Sequence, residues 1–248
     1  MFYFETINDK KILKSDYLQC VQHFFTTRES VVTSRDLTEL DRICDENIEI
    51  IANHLKLNKE NIISPVQTHS SNIQIAKSGL SYPDTDAVIV EDNNIAILLN
   101  FADCTPIILY DEIHNIGAVV HAGWRGTASS IVQKTVNFMK NRYKTSPQSL
   151  IAVIGPAISA KNYQVNKDVY TALRTTLNGE YTGCYFHDSI NEKYNVDLKT
   201  INFYQLCELG IERIDKCDYC TYDSNDIFFS YRKELGKTAR HSAILKLN

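Results

Sequence analysis

Glycine and proline are scarce in this chain, 9 and 5 of 248 residues, about half of average usage. Where the few glycines cluster is therefore informative, because glycine permits turns and close backbone approach. Long apolar runs are missing too. The longest, Ile95 to Ala102, already holds Asn100 and falls far short of the roughly 20 residues that span a bilayer. The opening MFYFETINDKKILKSD has no basic segment leading into an apolar one, so no secretory signal is visible and no membrane partner is expected. Excess positive charge is also absent. With 26 Lys and Arg against 30 Asp and Glu, the net charge of -4 argues against nucleic acid as a partner. What is present is a 44% hydrophobic chain with 7 cysteines, an odd and scattered number. Such thiols read as free in a reducing cytoplasm. No repeat, low-complexity tract or linker interrupts residues 1–248, which are expected to form a single domain.

Leu37 to Leu57, with Leu40, Ile43, Ile50, Ile51 and Leu55, predicts an amphipathic helix. Asn72–Ala76 predicts a short strand. Four closely spaced strands are predicted at Ala87–Val90, Ile95–Leu99, Pro106–Tyr110 and Ala118–Val120, with Asp92-Asn93-Asn94 as a turn and Gly117 at the entry to the last. A helix is predicted from Thr127 to Tyr143, then a buried strand at Leu150–Ile154 ended by Gly155-Pro156. Asn166–Thr176 and Leu198–Leu209 predict helices, and Asp226–Tyr231 a late strand. Strands and helices mix without strict alternation. That favours a mixed α/β or α+β domain over a doubly wound Rossmann sheet, and no dinucleotide fingerprint is present.

Chemistry concentrates in three runs. In Ala118-Val119-Val120-His121-Ala122-Gly123-Trp124-Arg125-Gly126-Thr127, a buried strand ends at a histidine and two glycines bracket Trp124-Arg125. Thr127 could cap the next helix, and its free N–H groups with the Arg125 fork could hold phosphate. The plain alternative is a capped turn with a surface arginine. In Ala102-Asp103-Cys104-Thr105-Pro106, the Asp103 carboxylate disfavours a free thiolate, so Cys104 suits a metal ligand better than a lone nucleophile. Taken alone, it reads first as a buried inert thiol. His69, in Gln67-Thr68-His69, completes a candidate set with Cys104 and His121. Their spacing has no zinc-finger regularity, so such a site would be assembled from separate elements, as catalytic zinc often is.

The ordered runs Gln67-Thr68-His69, Thr85-Asp86-Ala87, Ala102-Asp103-Cys104-Thr105-Pro106, His121-Ala122-Gly123-Trp124-Arg125-Gly126, Ile154-Gly155-Pro156 and Phe229-Ser230-Tyr231-Arg232 carry a resemblance. They are similar to the laccase-domain, polyphenol oxidase or multicopper oxidoreductase-like family, also described as zinc-dependent purine nucleoside phosphorylases. The likeness spans about His23 to Arg240. It implies a single mixed-sheet α/β/α domain with His69, Cys104 and His121 holding zinc. It also implies phosphorolysis of adenosine, inosine and guanosine, with action on methylthioadenosine and deamination of adenosine. Some bacterial members are described instead as editing peptidoglycan precursors. The chain departs from the family pattern at His23-Phe24-Phe25-Thr26-Thr27-Arg28, where glycine usually follows the histidine, and at Thr238-Ala239-Arg240.

Seven histidines with no His-x-His pair do not suit a multicopper laccase, although copper could occupy a two-histidine, one-cysteine site. For phosphorolysis, Arg28, Arg125 and Thr127 are the expected phosphate donors, with purine nucleosides and inorganic phosphate as partners. A deaminase role lacks the usual base-deaminase signature and would fall to Asp103 as acid and base. The competing enzyme is a metal-independent cysteine hydrolase, with Cys104 as nucleophile and His121 as base. A non-enzymatic, metal-stabilised binding protein is the third alternative. Cys217-Asp218-Tyr219-Cys220 is half of a zinc site and reads as structural thiols. Tyr163, Phe229 and Tyr231 could stack on a purine, with core packing as the default.

Overall fold

Strands covered on both faces must be apolar along their whole length. β8 (Thr105–Asp111) and β9 (Ile116–Ala122) fit that rule, being buried at every position. The computed structural model describes residues 1–33, 41–179, 181–188 and 193–248. Within them β8 and β9 lie at the middle of a six-stranded mixed sheet, in the order β14 (Arg213–Lys216), β10 (Leu150–Ile154), β8, β9, β6 (Ala87–Val90), β5 (Ile73–Ile75). A second six-stranded sheet runs β1 (Phe2–Ile7), β2 (Lys10–Ser15), β3 (Gln22–Thr26), β15 (His241–Lys246), β7 (Ala96–Phe101), β4 (Ile62–Ile63). Antiparallel pairs dominate, with parallel pairing of β10 with β14, β5 with β6 and β4 with β7. A three-stranded sheet, β11 (Gln164–Val165), β13 (Lys193–Val196) and β12 (Tyr185–Asp188), stands apart.

The period-2 alternation of side chains sorts the core into layers. Ile108 and Val119 face the other large sheet, where Phe25, Leu99 and Leu245 meet them. Ile107, Leu109 and Val120 face the opposite way, onto α3 (Ile131–Tyr143) and the helix Leu198–Glu208 through Val132, Met139 and Leu206. Ile51 and Leu55 of α1 (Asp41–Leu55) cover the outer face of the first-strand sheet, against Phe24 and Ile244. The mixed α/β expectation is met, with the sheet layer doubled between helices, and neither large sheet is the all-parallel Rossmann type. No helix among the described residues is long and apolar enough to cross a membrane.

Three expectations need correction. The helix expected over Thr127–Tyr143 is two helices, α2 (Trp124–Ala128) and α3, divided at Ser130, whose φ of 56° is left-handed. Asp226–Tyr231 is not a strand. Its chain turns on itself, with the N–H groups of Ile227 and Phe228 both donating to Ser224 O, and the buried Phe228 and Phe229 imitate a strand signal. Gly117 lies inside β9, not at its entry, and a Cβ there would crowd Leu245 of the facing sheet. Leu37 and Leu40 of the first predicted helix lie outside the described residues.

Two histidines buried in the sheet carrying β3 and β15 make an acid-sensitive core. Burial pushes His23 down to about 4 and His241 to about 3. Both folded values lie below the ordinary histidine value, so the unfolded chain binds more protons between roughly pH 6.5 and 4. Stability is complete above that window and falls as pH descends through it. Urea unfolding should therefore show a loss of roughly 2 kcal/mol per histidine between pH 7 and pH 5. Equal stability at both pH values would contradict this assignment.

Candidate active site

Register brings the site together. Thr105 of β8 pairs with Ala122 of β9, and Ala87 of β6 pairs with Val120. Cys104, His121 and Asp86 therefore reach the same end of the sheet, and His121 N–H donates to Asp86 O at 2.7 Å. His69 joins them from the loop before β5, with a left-handed φ of 65°. The ligand atoms of His69, Cys104 and His121 lie within 4.8 Å of one another. The set proposed from sequence is thus brought to one point.

Asp86 organises it. Its buried carboxylate accepts from the backbone N–H groups of Thr68 and His69 at 3.1 Å each and Ser70 at 2.7 Å, and from Ser70 Oγ at 2.8 Å. His121 Nδ1 lies 2.7 Å from Asp86 Oδ1. That bond places the ring proton on Nδ1 and leaves Nε2 for the cavity. Burial alone would raise the Asp86 carboxyl, but the His121 and Ser70 bonds hold it far below the usual carboxylate range. Burial likewise opposes ionisation of Cys104, yet the charge and hydrogen bonds of His121 and His69 bring the thiol down to about 6. His121 rises to about 9, burial being outweighed by the Cys104 charge and the Asp86 bond. At neutral pH Cys104 is thus a thiolate beside a protonated His121, whose Nε2 proton a metal ion would displace.

Two imidazoles and a thiolate form a donor set suited to zinc, and chemically to copper. The backbone leaves room for an ion. A Cβ at Gly123 would stand 2.8 Å from His69 Cδ2 and 2.9 Å from Cys104 Sγ. Gly123→Ala should therefore push the ligands apart and cut metal affinity at least about tenfold, as disturbed support of metal ligands does. Isothermal titration with Zn²⁺, alongside a melting curve, would check it. Unchanged affinity in the folded variant would contradict it.

A cavity of about 510 Å³ opens over this cluster. Three arginines line it, each over an aromatic face: Arg125 on Trp124 at 4.5 Å, Arg232 on Tyr163 at 5.1 Å and Arg240 on Tyr231 at 5.8 Å. Carbonyls steady two of the forks. Arg232 Nη1 donates to Gln164 O at 3.1 Å, and Arg240 Nη1 to Thr238 O at 2.5 Å and Ala239 O at 2.9 Å. Among the described residues neither Arg125 nor Arg232 is paired with a carboxylate. Burial pushes the Tyr163 hydroxyl above its ordinary range, so it stays a proton donor.

Asp103 lines the cavity, but its carboxylate is committed. Oδ1 accepts from Thr221 Oγ1 at 2.6 Å and Oδ2 from the Arg232 N–H at 2.7 Å. With a left-handed φ of 84°, it anchors the loop bearing Arg232 to the loop bearing Cys104. That geometry does not suit the acid and base role first considered for it. Arg28 is absent from the cavity lining. It pairs with Glu234 at 2.6 Å, donates to Asn225 O at 2.5 Å and covers Phe229, bracing the loop that presents Tyr231. Thr127 is also elsewhere. α2 begins at Trp124 behind Gly123, the Thr127 N–H already bonds Gly123 O at 2.8 Å, and its hydroxyl accepts from Asn202 at 3.0 Å. It is not a free helix cap for an anion.

Sequence reasoning gave no role to Asp86, Asn100, Arg232 or Arg240. Asp86 carried two signals, its place in the run Thr85-Asp86-Ala87 and a carboxylate directly before the apolar run Ala87–Val90. Tyr163 and Tyr231 line the cavity rather than only the core, whereas Phe229 is buried under Arg28. Cys220 accepts from the Ser159 N–H and hydroxyl at 3.3 and 3.2 Å, and the Cys217-x-x-Cys220 pair contributes no ligand to a metal cluster among the described residues.

Comparison with known proteins gives a consistent picture. A family model described as multi-copper polyphenol oxidoreductase laccase matches residues 22–248. A purine nucleoside phosphorylase of Bacteroides thetaiotaomicron is 29% identical, over 91% of this chain and 92% of that protein. The purine nucleoside phosphorylase YlmD of Bacillus subtilis is 29% identical, over 86% of this chain and 80% of its own. Among solved structures, YlmD from Geobacillus stearothermophilus superposes with a TM-score of 0.90 at 25% identity, covering 99% of this chain and 98% of that one. The Bacillus licheniformis hypothetical protein YfiH gives 0.87 at 25% identity, covering 99% of both.

Proposed function

The chain belongs to the multi-copper polyphenol oxidoreductase laccase family, and from that membership we infer that it is a metal-dependent purine nucleoside phosphorylase. One observation carries the inference: a single cavity joins the His69, Cys104 and His121 cluster to three aromatic-backed arginines. Zinc is the ion best matched to this use. The chain has 7 histidines, and among the described residues only one group of three or more candidate ligands, which is too few for several coppers. His69 and His121 would supply imidazole nitrogens and Cys104 a thiolate, oriented by Asp86. Bound there, a divalent ion supplies Lewis-acid polarisation and orientation of a substrate oxygen.

The protein's own groups do the rest. Arg125, Arg232 and Arg240 hold phosphate through charge-assisted bonds and keep its attacking oxygen toward the ribose. The aromatic faces exclude water and accept the flat base. A C1′–O bond to phosphate forms as the C1′–N9 bond breaks, through an oxocarbenium-like state by analogy with glycosides. The bonding pair leaves with the purine, which takes a proton, and ribose 1-phosphate remains. The Tyr163 hydroxyl, kept protonated and lining the cavity, offers the departing base a hydrogen bond, and solvent supplies the proton. Adenosine, inosine and guanosine are the proposed substrates, with methylthioadenosine as a variant. A reduced Cys104 is required, so a reducing cytoplasm is the fitting compartment. Zinc-loaded protein should release base from inosine only when phosphate is present. Base release indifferent to phosphate would overturn the proposal.

A second reading has one observation in its favour. His121 stands between Asp86 and Cys104, as the base does in a cysteine–histidine–acid triad. A cysteine hydrolase of this kind would keep its activity after chelation and carry an acyl adduct on Cys104.

A further inference from the structure

The turn that carries Arg232 is tied to the metal side of the cavity by one backbone bond. Ser230, Lys233, Glu234, Gly236 and Lys237 spend their N–H groups on acceptors within the turn itself. Arg232 spends its own outside the turn, on Asp103 Oδ2 at 2.7 Å. Asp103 is in turn held on both sides. Its carbonyl accepts from the Ile158 N–H at 3.1 Å, and its Oδ1 from the Thr221 hydroxyl at 2.6 Å. Thr221 is fully buried, and its N–H bonds Ala157 O at 3.2 Å. From this fixed point the Arg232 guanidinium reaches the cavity, where Gln164 O and the Tyr163 ring steady its far end.

Asp103 directly precedes Cys104, so one residue borders the metal cluster and holds the arginine. A carboxylate lining a cavity that receives phosphate repels it, which is a cost unless the charge is used elsewhere. Here it is used to accept: each oxygen takes a bond that its charge strengthens. Misplacing a positioning group by about 1 Å costs as much as about 10²-fold in rate, so a bond that sets the Arg232 backbone also sets the phosphate. We propose that Asp103 is the positioning residue of the phosphate site, holding Arg232 in place relative to the metal cluster and acting on phosphate through that arginine. This rests on the phosphorylase reading and adds to it the residue that aligns the two halves of the site.

The test titrates inorganic phosphate into zinc-loaded protein by calorimetry, and measures the KM of phosphate and of inosine. Asp103→Gly, which adopts the left-handed φ of 84° without strain, should weaken phosphate binding at least about tenfold and raise the phosphate KM in step. Inosine KM and zinc affinity, which do not share the contact, should stay within about threefold of wild type. Asp103→Asn should recover phosphate affinity to within about threefold of wild type, because Oδ1 can accept from the Arg232 N–H while Nδ2 donates to Thr221 Oγ1. Thr221→Val, buried and outside the cavity lining, should weaken phosphate by a smaller factor, and it carries the test if Asp103→Gly does not fold. An acid, base or charge role would leave Asp103→Asn as impaired as Asp103→Gly. A merely structural role would lower the melting temperature and leave phosphate affinity alone. Either result overturns the proposal, as does a loss of zinc along with phosphate, which would place the effect at Cys104. If the affinities follow the expected pattern but wild type releases no base from inosine, the positioning stands and the phosphorylase reading falls. Wild type that binds no phosphate overturns both.

Discussion

Cys104→Ser should lower phosphate-dependent base release by about 10³-fold, beyond the 10–100-fold that outer partners of a metal site command. The reason is local. Cys104 is the one thiolate in a cluster whose other donors are imidazoles, and its ionised form is what draws His121 up to about 9. A serine hydroxyl stays protonated near neutral pH, so the charge that matches a divalent ion is lost. Bound zinc, measured by elemental analysis after dialysis, should fall with the rate. Melting should change little, since the residue sits at the cavity edge. A variant that retains zinc and turnover would show that the thiolate is not a ligand. The same substitution also silences a cysteine hydrolase, so it is paired with chelation: a phosphorylase loses activity in chelator and regains it with Zn²⁺.

Asp86→Ala should produce the largest loss of stability. The substitution leaves the N–H groups of Thr68, His69 and Ser70 and the His121 ring without their shared acceptor. Removing one partner of a buried charged pair costs about 3–5 kcal/mol. Metal affinity should drop a further 10–100-fold, because the His121 tautomer and the His69 turn lose their support. The sign with pH is fixed by the depressed Asp86 carboxyl. Its contribution is complete above the unfolded value near pH 4 and declines only as pH falls below it. Wild type and Asp86→Ala should thus differ fully at pH 7 and converge in strong acid. Denaturant unfolding at several pH values measures the gap, and a gap that is unchanged at pH 3 would refute the role given to Asp86.

Much of the centre was legible because it is made of buried strands. Ala87–Val90, Thr105–Asp111 and Ile116–Ala122 are continuous apolar runs, which the sequence announces directly. The metal set followed because His121 and Cys104 punctuate the ends of such runs. β1, β2 and β3 were not read as strands. Their Lys, Glu and Gln residues interrupt the apolar signal, and β3 pairs with β15 from the far end of the chain, a contact no local pattern encodes. Asp86 acts through register, since only the pairing of Ala87 with Val120 brings it to His121. Two of the three expected phosphate donors, Arg28 and Thr127, lie elsewhere, while Arg125 lines the cavity. Arg28 is local to β3 and turns to Glu234, whereas Arg232 directly follows a turn that resembled a strand and Arg240 directly precedes β15. Thr127 looked like a helix cap because the left-handed Ser130, which divides the helix, leaves no trace in composition.

Phosphorus NMR of inosine turnover tests the joined cluster and arginine cavity most directly. Zinc-loaded protein incubated with inosine and inorganic phosphate should show the phosphate signal decline and a ribose 1-phosphate signal grow, matched one to one by hypoxanthine. Chelated protein should show neither, and readdition of Zn²⁺ should restore both. Hypoxanthine formed with free ribose and no loss of phosphate would contradict a phosphorylase, as would equal turnover by zinc-loaded and chelated protein.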